Sequence, residues 1–205
     1  MALVKHNNNS ISNLTSAGQL AQGKMTLISS QTASGSASIS FTSGIDSTYP
    51  IYRFEFINCH PSNSTIPFQV NFSSDGGSNY NVTKTSAGFQ AYHRENGTSP
   101  FLGYATSLHT AQSTGEQMIA GGSVVNDNDS GVSGSLELFN PSSTTFVKHY
   151  MIIANSFDTS SPPYTVEQFS GGYCNTTSAV NGVRFKFGSG NIDSGTIKLY
   201  GIKGD

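Results

Sequence analysis

At 205 residues and 21.7 kDa the chain has the length of a single domain, enough to bury one substantial core. Charged residues are only 11% of it, the net charge is −2, and its ten Lys and Arg are scattered, which excludes the clustered basic footprint of a nucleic-acid binder. No apolar run approaches the roughly 18 residues a spanning helix needs, so membrane insertion is not expected. The polar surface must come from Ser, Thr, Asn, Gln and Gly, as on many fibrous, secreted and viral-surface β-proteins.

Residues 1–24 are small and polar, with Leu3, Val4, Ile11, Leu14 and Leu20 spaced too widely to share a core. They are expected to form an attachment arm ahead of a sandwich domain over 25–205, an arm that either stays disordered or is ordered by a partner it docks on. The opening residues hold no apolar signal core, so release by cell lysis is the expected way out.

From Met25 the pattern becomes strand, turn, strand. Short strands are expected over 25–29 and 37–42, then a strong one over 49–58 with Tyr52, Phe54 and Phe56 on one face. The alternation is cleaner over 66–72, where Phe68, Val70 and Phe72 point inward and Gln69 and Asn71 outward, and Ser74-Asp75-Gly76-Gly77 then supplies a turn. Further strands are expected over 89–93, 101–105, 117–120 and 132–139. The segment 145–154 is apolar on both faces, which suits a central strand or one covered by a neighbouring subunit, and Phe146, Tyr150 and Ile152 are its candidate oligomer contacts. Strands over 164–173, 182–187 and 196–202 complete the set, the last two flanking a Gly-rich hairpin loop over 188–195. No run of ten residues has helical apolar spacing. The expected fold is all-β: an antiparallel two-sheet sandwich, jelly-roll-like, with a short N-terminal arm.

Chemistry is sparse. None of His6, His60, His93, His109 and His149 is spaced as a local metal-ligand pair, and no cofactor or metal is expected. The loop over 126–131 carries Asp127 and Asp129, an arrangement that serves either a Ca²⁺ site or a plain β-turn, and the turn is favoured because no Glu closes the ligand set. Glu137 and Glu167 lie on strands and are the carboxylates a hydrolase would use, yet charges are ordinary on an outer strand face. No nucleophile elbow, phosphate loop or dinucleotide fingerprint occurs, and a non-enzymatic role is expected. Cys59 and Cys174 are expected to be buried and reduced, the alternative being a single bridge. Tyr80, Tyr92, Tyr104 and Tyr164 fall in or beside polar loops, where they are either glycan-stacking platforms or the rim of a core or interface.

Five stretches resemble a family of small phage proteins found in marine and other environmental tailed phages. They are 1–5 (Met-Ala-Leu-Val-Lys) with its Asn run, 40–49 (Ser-Phe-Thr-Ser-Gly-Ile-Asp-Ser-Thr-Tyr), 73–81, 138–149 and 190–202. The resemblance spans most of the chain but carries no motif of known chemistry. It implies a virion structural protein assembled in the host cytoplasm: a homotrimeric tail fibre or adhesin contacting a host-surface glycan, or a head decoration protein. The arm would attach it to other virion proteins. A monomeric carbohydrate-binding module is the reading that needs no particle.

Overall fold

The computed structural model describes residues 25–203; the expected arm, with Leu3, Val4, Ile11 and Leu14, lies outside the described residues. The chain forms β1 (Met25–Thr32), β2 (Ile39–Phe41), β3 (Ile51–Pro61), β4 (Ile66–Ser73), β5 (Lys84–Arg94), β6 (Phe101–Tyr104) and β7 (Thr110–Ser113). Then follow β8 (Gln117–Val124), β9 (Val132–Phe139), β10 (Lys148–Asp158), β11 (Tyr164–Cys174), β12 (Gly182–Phe187) and β13 (Ile192–Ile202). The larger sheet runs β1-β13-β3-β9-β10-β11-β5-β6, with β7 also pairing with β5; the smaller runs β2-β12-β4-β8. All the pairings are antiparallel, and the two sheets pack as the expected sandwich.

Alternation decides which side of each strand is buried. Tyr52, Phe54 and Phe56 of β3 meet Phe68, Val70 and Phe72 of β4 and Val183, Phe185 and Phe187 of β12, all buried in one core. Phe185 is the hub: its ring centroid lies 5.5 Å from that of Phe54, 6.2 Å from Phe56, 6.1 Å from Phe68 and 6.4 Å from Phe41. Edge-on, tilted and stacked pairings of this kind add to plain area burial. Cys59 and Cys174 are buried and unpaired, and burial pushes each thiol up to about 12.

Two expectations change. The strand expected over 145–154 begins at Lys148, so Phe146 precedes it and is exposed. Tyr150 and Ile152 face the smaller sheet and are buried within the subunit, so neither is available to a neighbour; Met151 and Ile153, between them, point outward. The residues over 188–195 form no hairpin loop, because β12 and β13 belong to different sheets and the second strand already starts at Ile192.

The sheets differ in width, and this positions the candidate site. The smaller sheet ends at β8, which lies against β10 and reaches β11. Beyond it the larger sheet continues through β5 to β6, where a single 3-10 turn, Thr106–Leu108, plugs the inner face with the buried Leu108.

Candidate functional site

The outer face of the larger sheet bears an apolar band. Pairing aligns Ile153 of β10, Phe169 of β11, Phe89 of β5 and Tyr104 of β6 in one row across four strands. Met151 stands beside this row, opposite Gly171 and Ala87, and Leu102 stands on its other side, opposite Ala91. Exposure is 55% for Met151, 44% for Phe89, 72% for Leu102 and 84% for Tyr104. Because Gly171 and Ala87 are small, Met151, Phe89 and Phe169 surround a shallow concavity of about 340 Å³. Contiguous exposed apolar surface of this kind is uncommon on monomeric proteins.

The inner face beyond β8 holds a second feature. Tyr92 of β5 stacks on Phe101 of β6 at 4.9 Å, and its other neighbour is Tyr164 of β11, also at 4.9 Å. The Arg94 guanidinium ends this ladder, 5.1 Å from the Tyr164 ring, and is held there by donating to Pro162 O at 2.8 Å. Tyr164 donates its hydroxyl to Asp158 Oδ2 at 2.6 Å; burial and that carboxylate push the phenol up to about 12. Alongside lies a cleft of about 210 Å³ lined by Gln90, Gln168, Ser107 and Ser156 as well as Asp158 and Tyr164. Gln168 is itself fixed, accepting from Gly121 N–H at 2.9 Å. Aromatic faces beside amide, hydroxyl and carboxylate groups suit a hydroxylated, ring-shaped ligand.

Of the four tyrosines singled out from sequence, the fold brings Tyr92 and Tyr164 together and separates the others. Tyr104 lies on the opposite face of the same sheet, in the apolar band. Tyr80 is remote, its ring covered by the Arg184 guanidinium at 4.3 Å. Sequence reading missed Phe101, Arg94, Gln90 and Gln168 as neighbours of Tyr92 and Tyr164, since only strand pairing joins them.

The loop over 126–131 makes a β-turn, with Ser130 N–H donating to Asp127 O at 2.9 Å. It rims a polar pocket of about 460 Å³ with His60, Asp129 and Asp193. Among the described residues no group of three or more His, Cys, Asp or Glu side chains is placed to hold a metal ion. Glu137 is in an ion pair with Arg53 at 2.9 Å, and Glu167 accepts from Asn155 Nδ2 at 3.0 Å on the outer face. Among the described residues no helix is long and apolar enough to cross a membrane. Compared with protein-family models, with curated proteins and with solved structures, the chain matches none.

Proposed function

We propose that this chain is a non-enzymatic structural subunit of a bacteriophage particle, a homotrimer that assembles through the outer face of its larger sheet. The observation that carries this reading is the exposed row Ile153, Phe169, Phe89 and Tyr104 with Met151 and Leu102 beside it. The occupant we assign to that face is another copy of the same chain. A surface with so few charges brings few like charges together on self-contact, and closed self-association is the commonest way to bury such a face. The phage setting, and the preference for a tail fibre or adhesin over a head decoration protein, rest on the sequence resemblance and on the cleft beside Tyr164, whose ring neighbours Tyr92, as a place for a host glycan. Residues 1–24 would attach the subunit to other virion proteins.

The test is absolute mass by light scattering after size exclusion, on the full chain over a range of concentrations. A trimer that persists on dilution supports the reading. A monomer at every concentration overturns it; glycan binding by that monomer would favour a carbohydrate-binding module, the reading that the cleft alone supports.

A further inference from the structure

Asn71 sits on the outward side of β4 yet is only 2% exposed, because following segments fold over it. Its Nδ2 donates to Tyr80 O at 2.8 Å and to Thr114 O at 3.1 Å. Its Oδ1 accepts from Phe72 N–H at 2.9 Å and from Lys84 Nζ at 2.7 Å. The carboxamide is thus held from both ends, with the amine of a second residue against its carbonyl.

Lys84 is fully buried, and besides Asn71 its Nζ has the carbonyl of Val82 at 3.3 Å. Burial pushes its ammonium down to about 8, opposed by the weaker pull of the Glu116 carboxylate. On the order of a tenth of the molecules therefore hold a free amine at neutral pH. Glu116 is close by register: β8 pairs Gln117 with Val70, so Glu116 comes next, beside Asn71. On the other side of Asn71 its partner on β12 is Arg184, whose Nη2 reaches Glu116 Oε1 at 2.5 Å. Glu116 Oε2 is buried with no hydrogen-bond partner among the described residues. An unpartnered buried carboxylate oxygen is costly, and one next to an amine and an amide has a use in moving a proton.

We propose that Lys84 and Asn71 form an intramolecular isopeptide bond, with Glu116 carrying the proton. The neutral Nζ adds to Asn71 Cγ, and the charge that develops on Oδ1 is held by Phe72 N–H. Glu116 takes a proton from Nζ and gives it to Nδ2; the Cγ–Nδ2 bond breaks and Nδ2 leaves as ammonia. Amine and carboxamide become a secondary amide plus ammonia, with no oxidant or reductant. The bond joins β4 of the smaller sheet to β5 of the larger, stapling the two layers in a chain whose two cysteines are unpaired.

The test is the intact mass of the full chain and a tryptic map. Trypsin acting on the unlinked protein cuts after Lys84, dividing residues 54–94 into 54–84 and 85–94. The linked protein keeps 54–94 as one peptide, lighter by one ammonia and without backbone fragments between 71 and 84 in tandem spectra. Asn71→Ala and Lys84→Met restore the unlinked intact mass relative to sequence. In freshly refolded Glu116→Gln, bond formation slows by at least about tenfold. Cleavage after Lys84 in wild type, or an ammonia deficit on an Asn peptide that lacks a linked Lys84, overturns the proposal. Unchanged bond formation in Glu116→Gln removes Glu116 from it.

Discussion

Phe89 and Phe169 stack face to face across β5 and β11, 5.0 Å between centroids and 13° between planes, on the outside of the sheet. A pair so placed contributes little to the isolated fold, since Phe89 stays 44% exposed. Phe169→Ala is therefore expected to cost under about 1.5 kcal/mol in denaturant unfolding of the subunit, the order of an aromatic pair. On the proposed assembly the effect differs: Ile153→Lys, in the same row, puts an unpaired cation into the contact and is expected to yield a monomer with an unchanged circular dichroism spectrum. An Ile153→Lys protein that remains as large as wild type would show that this face is not the contact.

Tyr164 and Asp158 pair strands β10 and β11 at their shared end, with a 2.6 Å hydrogen bond. Tyr164→Phe removes the hydroxyl and leaves the carboxylate, with an expected loss of about 1–3 kcal/mol. The pH dependence has a definite sign. The folded phenol is raised to about 12, above its ordinary value of 10, so the unfolded chain releases its proton first. The stability tied to this group is present in full below pH 10 and is lost as pH rises toward 12. Urea midpoints taken across that window should fall less steeply for Tyr164→Phe than for wild type; equal slopes would mean that other groups carry the alkaline loss.

How much of this was readable depends on what each residue contacts. The inward faces of β3 and β4 were legible because Tyr52, Phe54 and Phe56, then Phe68, Val70 and Phe72, are apolar at period two and buried by that property alone. The first half of β5 was not, because its inward residues Lys84 and Ser86 are polar. Their burial depends on partners distant in sequence: Asn71 for Lys84, and Leu108 O and Gln117 for Ser86. β10 showed two apolar faces, but which one is covered depends on where the smaller sheet ends, a tertiary fact that placed Tyr150 and Ile152 inside and Met151 and Ile153 outside. Of the aromatic ladder only Tyr92 and Tyr164 were visible as candidates, and their adjacency comes from β5 pairing with β11.

The Phe185 hub predicts where the sandwich is least tolerant. Its ring lies among those of Phe41, Phe54, Phe56 and Phe68, which come from both sheets, so truncation removes contacts that hold the layers together. Phe185→Ala is expected to cost about 3–5 kcal/mol, and Phe185→Leu clearly less because most of the volume is kept. Denaturant titrations of the two variants give the comparison; equal losses would mean that ring geometry rather than volume sets the stability of this core.

Gly134 marks the closest approach inside the larger sheet. A Cβ built there would collide with Ile153 O on β10 and come within 2.7 Å of the Phe56 ring on β3. Phe56 is packed against Phe68 and Phe185 and cannot turn aside, and the carbonyl belongs to the β9–β10 pairing. Gly134→Ala must therefore move β9 away from one neighbour, at a cost of about 1–3 kcal/mol, although alanine is the smallest side chain that could be added. Gly97 is the control: it lies in an exposed turn with nothing within 4 Å of the added carbon, but its φ of +75° makes alanine strained there too. The two losses should be separable by hydrogen exchange. Gly134→Ala should speed exchange at the amides of β9 and β10, where strand separation exposes them, and Gly97→Ala only around its own turn. Slow exchange retained throughout β9 and β10 in Gly134→Ala would mean that the strands absorb the methyl without parting.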